Sequence, residues 1–170
     1  MSQKDVVDSY ASMIEISQKL AVEVRTSALT RLVWFVAIAG YVLLNAKPLW
    51  EALSGHTFSG SGIFWLSLPW VVSAFLGVIT HFIVDEVSTR DNVYFTSKKT
   101  AVDLHKLKVE EGKEDPNEFI QIMNDTFPGI KEAKIALDRY ARIGKWLERL
   151  TFLSLVFGFI WSLVGPLLLH

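Results

Sequence analysis

His81 and Asp85 stand four residues apart near the end of a long apolar run, with Glu86 beside the second. Residues at that spacing share one face of a helix, and ionisable groups at the edge of a bilayer often mark a relay or an ion path. The plainer role is a single interfacial hydrogen bond, which costs little because His81 is about one turn, roughly 5 Å, from the end of the run. His81, Asp85 and Glu86 are therefore the candidates for a pH-sensitive or ion-lining site. They are also the residues on which an intramembrane enzyme with an interfacial substrate would have to be built.

No other group has catalytic form. The chain lacks a Gly-rich phosphate loop and an HExxH pair, and His56, His81, His105 and His170 are scattered without ligand spacing. His105, beside Lys106 in a charged segment, reads as a solvated residue. Glu110, Glu111, Glu114 and Asp115 read as a solvated acidic turn, although hard cations bind such clusters weakly. With no cysteine, disulfides, thiolate metal sites and thiol nucleophiles are excluded. The expectation is a non-enzymatic protein with no catalytic residue, cofactor or metal.

A second pattern concerns packing. Ser154, Gly158 and Ser162 recur at intervals of four, with Pro166 next in the row, and Ser73 and Gly77 form a shorter pair of the same type. Small residues in such a row let helices approach closely in lipid, where packing and cross-helix hydrogen bonds replace the hydrophobic force. The rows suit helix packing within one chain, an oligomer interface between chains, or both.

The elements that carry these residues are set by where the charges are absent. Overall the chain is 51% hydrophobic and 21% charged with a formal net charge of -1, which alone would suit a globular domain. Yet 15 uncharged residues follow Arg31, and further uncharged runs extend from Gly62 to Val84 and from Leu150 to Leu169. Crossing about 30 Å of hydrocarbon takes roughly 20 predominantly apolar residues. Three spans are expected, at about 32–50, 62–84 and 150–170. The first reaches full length if Lys47 snorkels outward, placing Trp34 and Trp50 near the interfaces. The second contains Pro69, which is tolerated when neighbours satisfy the carbonyl it frees. A short outer loop, 51–61, rich in Gly and Ser (Gly55, Ser59, Gly60, Ser61), joins the first two spans as a hairpin.

The remaining segments are polar and helical. Residues 1–31 form an amphipathic helix, opened by Ser2 with Asp5 three residues on. Its stripe of Val6, Tyr10, Met13, Ile14, Ser17, Leu20, Ala21 and Val24 is expected to pack on the protein's own polar helices; lying on the lipid surface is the alternative, weakened by the mixture of acidic and basic residues. The first 30 residues carry too many charges for a secretory signal. Residues 85–149 hold 12 of the 17 lysines and arginines and 13 of the 18 acids. Within them, 86–112 read as a helix leaving the second span, and Asp115-Pro116-Asn117-Glu118 as the N-cap, first-turn proline and N3 acid of a short helix to about Met123. Phe127-Pro128-Gly129 breaks it. A last helix presents Ile130, Ala133, Leu137, Tyr140, Ala141, Gly144 and Leu147 on one face and runs on into the third span.

Lysine and arginine flanks stay cytoplasmic. Four precede the first span, one falls near the outer end of the hairpin, twelve lie in 85–149 and none follows the third span. The expected topology is a multi-pass protein of the cell (inner) membrane, N-terminus cytoplasmic and C-terminus outside. Mixed charge of both signs gives no nucleic-acid footprint. The partners expected are the lipid bilayer and either a second copy or another membrane or cytoplasmic protein. The functional expectation is an oligomer or accessory subunit, acting as sensor, effector or scaffold, whose cytoplasmic helices are coupled to its spans; a pore or ion channel built by a homo-oligomer is the alternative.

Overall fold

Long uncharged runs flanked by charged, proline-poor segments favour uninterrupted helices, and helix is what forms. The computed structural model describes residues 3–55, 60–113 and 115–168. Ser2, His56, Ser59, Glu114 and His170 lie outside the described residues, as does the side chain of Pro166. Five helices follow in order: α1 (Gln3–Leu44), α2 (Ala46–Ser54), α3 (Gly60–Glu110), α4 (Pro116–Met123) and α5 (Ile130–Leu168), with no strand among the described residues. The protein is all-α, and α1, α3 and α5 are each long and apolar enough to cross a membrane.

Two boundaries differ from the sequence expectation. The run 32–50 is not one helix: α1 stops at Leu44, where Asn45 turns its side-chain amide onto the Tyr41 carbonyl at 2.8 Å. Pro48, which has no N–H to continue the ladder, then sits in the first turn of α2. The outer loop is also shorter than 51–61, because α2 runs to Ser54 before Gly55 closes it in the left-handed conformation (φ 70°), its N–H bonded to the Glu51 carbonyl at 2.9 Å.

The chain forms two units. Unit 1 is Met1–Ser27 with Val84–Arg142, and unit 2 is Ala28–Ile83 with Ile143–His170. Unit 1 has a core of Val7, Ile14, Ala101, Val102, Phe119, Ile122 and Ile130, onto which Tyr10, Tyr94, Phe95 and Phe127 pack. Its α1 and α3 segments run antiparallel, as three surface ion pairs record: Lys4 with Glu110, Asp8 with Lys106 and Glu15 with Lys99. Every advance along α1 is matched by a retreat along α3. The α4 start forms as its sequence predicts, with Asp115 accepting from the Asn117 N–H at 2.9 Å and Pro116 at the first helical position.

Unit 2 is built around Ala39, Ala46, Trp50, Leu66, Trp70 and Leu155. Trp50 is buried in that core, whereas Trp34 is exposed. Pro69 sits inside α3 and deprives the Trp65 carbonyl, four residues back, of its helical donor. Trp161 of α5 replaces that donor, its indole Nε1 donating to the Trp65 carbonyl at 3.2 Å.

Candidate functional site

Within unit 1, α3 turns one seam inward: Val84, Val87, Asp91, Lys98, Val102 and His105 are all buried, with Tyr94 half-buried in the same row. Three ionisable side chains thus fall seven residues apart, at 91, 98 and 105, on the face where a heptad pattern would put apolar residues. Each meets a different segment of the unit. Asp91 accepts from Arg25 of α1 at 2.8 Å, and the neighbouring Arg90 pairs with Glu86 and lies 5.3 Å from the centre of the Tyr140 ring.

Lys98 donates to Asp125, in the α4–α5 connection, at 2.6 Å and to the Tyr94 hydroxyl at 3.2 Å. Asp125 adopts φ 57°, a left-handed conformation that short polar residues tolerate. It also accepts from Tyr94 at 2.9 Å and from Lys134 at 2.5 Å. Burial alone would raise the Asp125 carboxyl, and the bonds from Lys134, Lys98 and Tyr94 more than reverse this, holding it below the usual carboxylate range. Burial alone would lower Lys98; its bonds to Asp125 and Tyr94 hold it above its ordinary value. Burial is the first cause raising the Tyr94 hydroxyl, with the Asp125 bond second. This arrangement fixes the α4–α5 connection on α3.

His105 overturns its solvated reading. It is fully buried, stacked on Phe119 with ring centroids 5.1 Å apart, and neither ring nitrogen has a hydrogen-bond partner. Glu118 Oε2 stands 3.8 Å from Nδ1, but that carboxylate is engaged by Lys108 through both oxygens at 2.8 Å. The reason for the burial is α4, whose Phe119 covers a face of α3 that charged neighbours made look solvated.

The amino-terminal stripe is divided. The face of α1 turned into unit 1 carries Val7, Ile14 and, half-buried, Tyr10, Gln18, Ala21 and Arg25. Of the residues expected to pack inward, Val6, Met13, Ser17, Leu20 and Val24 instead lie exposed, joined by Ile16; Met13, Ile16, Leu20 and Val24 are each more than half exposed. The helix has more apolar circumference than α3 and α4 can cover.

Unit 2 uses its small residues internally. A Cβ on Gly158 would meet the Trp70 indole at 3.2 to 3.4 Å, and one on Gly77 would lie 2.7 Å from Val36 Cγ2. The Trp70 indole donates to Ser162 at 2.9 Å, and Ser162 in turn donates to the Gly158 carbonyl. Ser73 and Ser154 donate to the carbonyls of Pro69 and Thr151. A pair that sequence reading passed over, Thr80 and Thr151, joins hydroxyl to hydroxyl at 2.9 Å inside the unit. The signal for it was available, since Thr151 is one turn before Ser154 and Leu155.

His81, Asp85 and Glu86 all lie on α3. His81 lines an apolar groove of unit 2 with Leu32, Val33, Val36, Ala37, Val78 and Phe82. In unit 1, Asp85 is exposed and Glu86 is taken by Arg90 at 2.7 Å. Among the described residues no three acids or histidines stand where they would hold a metal ion. No protein-family model, no curated protein sequence and no solved structure matches this chain.

Proposed function

We propose that this chain is a non-enzymatic, three-span membrane protein that assembles with a second copy of itself, or with a partner subunit, through the exposed face of α1 in unit 1. The exposed row of Val6, Met13, Ile16, Leu20 and Val24 is the observation that carries this reading. In a segment otherwise dressed with ion pairs, an uncharged row about five turns long marks a surface made to be covered. Unit 2, with its exposed Trp34, Tyr41, Phe75, Phe82 and Phe157, is the part placed in lipid. Unit 1 is cytoplasmic by the lysine and arginine count, and α1, α3 and α5 each contribute to both units, so the polar helices act as the input and the spans respond.

The small-residue rows support packing within the chain, which leaves the α1 face as the seam for assembly. The test is the mass of the purified protein in mild detergent, with co-purifying chains identified. Met13→Glu and Leu20→Glu, both at exposed positions, are expected to reduce the complex to single chains with unchanged helical content. Gly158→Leu is expected to impair folding of the chain itself. An unchanged mass for the two glutamate variants would sink the α1 seam. Liposomes holding the assembled protein are expected to stay tight to ions, because the hydroxyls of Ser73, Thr80, Thr151 and Ser162 bond to one another or to helix carbonyls.

A further inference from the structure

Arg31 is the last charge before the first apolar run and Arg149 the last before the third. One turn further into each run lie Phe35 on α1 and Phe152 and Leu153 on α5, at helical spacings that keep them on the same face as their arginine. In unit 2 these five residues and Glu148 line one open groove of about 520 Å³. The Phe35 and Phe152 rings stand 6.2 Å apart along its apolar part. At its polar end Arg31 reaches Glu148 at 2.9 Å with more than half of its side chain still exposed. Arg149 pairs with no carboxylate among the described residues; its guanidinium lies 5.7 Å from the centre of the Trp146 ring. The groove lining thus carries two arginines and one carboxylate, an excess of one positive charge beside an apolar trough.

We propose that this groove holds one anionic phospholipid, its phosphate shared by Arg149 and Arg31 and an acyl chain lying along Phe35, Phe152 and Leu153. The assignment rests on the membrane reading, since it takes the two terminal arginines to stand at headgroup depth. Guanidinium matches phosphate through paired donors, and basic pockets between membrane helices on the cytoplasmic side are suited to acidic headgroups. The exposed Trp146 beside Arg149 is a residue type favoured at that depth. The His81 groove has the same apolar walls with no fixed cation, so it gives no reason to select an acidic lipid.

The full chain in mild detergent, titrated with phosphatidylglycerol or phosphatidylcholine of identical acyl chains and read by native mass spectrometry, tests the site. One phosphatidylglycerol is expected to bind with about tenfold preference, the size of one charge-assisted contact. Arg149→Gln should abolish most of that preference, Phe152→Ala should weaken both lipids alike, and Glu148→Gln should strengthen phosphatidylglycerol severalfold. Arg149 and Phe152 are exposed, so these variants keep the fold, and Lys145→Gln serves as the charge control. Equal binding of the two lipids, or a loss in Lys145→Gln as large as in Arg149→Gln, overturns the proposal. So does displacement by inorganic phosphate at the same concentration as the lipid, which would make this a simple anion site. Flotation with vesicles separates the underlying reading: a chain entering neither bilayer overturns both, and a chain entering both without lipid preference overturns this one alone.

Discussion

Asp125 gathers three donors, Lys98, Lys134 and Tyr94, at a connection that has no regular structure of its own. Removing one partner of a buried, hydrogen-bonded charge pair leaves the other unpaired, at a cost of about 3 kcal/mol. Asp125→Asn is therefore expected to lower the thermal midpoint of unit 1 clearly, whereas Glu15→Gln, at a fully solvated pair, should leave it unchanged. The pH dependence has a definite sign. Asp125 titrates lower folded than unfolded, so its contribution is complete above the ordinary carboxyl value of 3.8 and is lost as pH falls below it. Lys98 and Tyr94 titrate higher folded than unfolded, so theirs are complete below 10.5 and 10.0 and are lost as pH rises past those values. Melting followed against pH should show a plateau between these limits, with both shoulders weakened in Asp125→Asn; a profile identical to the parent would show that the cluster does not hold the connection. These residues were not legible one at a time, because a lysine and an aspartate in a charged segment look solvated. The recurrence of Asp91, Lys98 and His105 every seven residues was the available sign that they share a buried seam.

At the scale of elements, helix existence followed from runs and caps, and the misplaced boundaries have local causes. Asn45 ends α1 through its own side chain, and Pro48 forces the restart, neither of which changes the hydropathy of 32–50. The short helix opened by Asp115-Pro116 was readable because its cap is encoded within four residues. Pro69 was readable as a residue needing help, and its helper was not, because Trp161 is 96 positions along the chain from the carbonyl it serves. This pairing makes a prediction of its own. Trp161→Phe removes the donor to Trp65 and should destabilise the parent by about 1 kcal/mol, the scale of cross-helix hydrogen bonds in membranes. In a Pro69→Ala background the helix supplies that N–H itself, so the same substitution should cost less. A double-mutant cycle in detergent measures the difference, and additive effects would mean that the indole does not compensate the proline.

For the whole molecule, the same segregation of charge that revealed three long apolar helices also argues an orientation, and the chain offers a direct way to check it. With no cysteine anywhere in the sequence, a single introduced thiol is an unambiguous reporter of which side of the membrane it faces. Ala52, in α2, and Lys113, just past α3, are both exposed, so Ala52→Cys and Lys113→Cys disturb little packing. Twelve of the 17 lysines and arginines lie in 85–149, and moving that segment across a membrane is opposed by the same bias that orients spans generally. In intact cells a membrane-impermeant maleimide is therefore expected to label Ala52→Cys and to reach Lys113→Cys only after permeabilisation. Labelling of Lys113→Cys from outside, with Ala52→Cys protected, would reverse the topology and put the exposed α1 row in the outer compartment, where a cytoplasmic partner has no access to it. Labelling of both from outside would deny the odd number of crossings. If the expected order is found, the exposed α1 row and the Asp125 cluster, both in unit 1, face the cytoplasm.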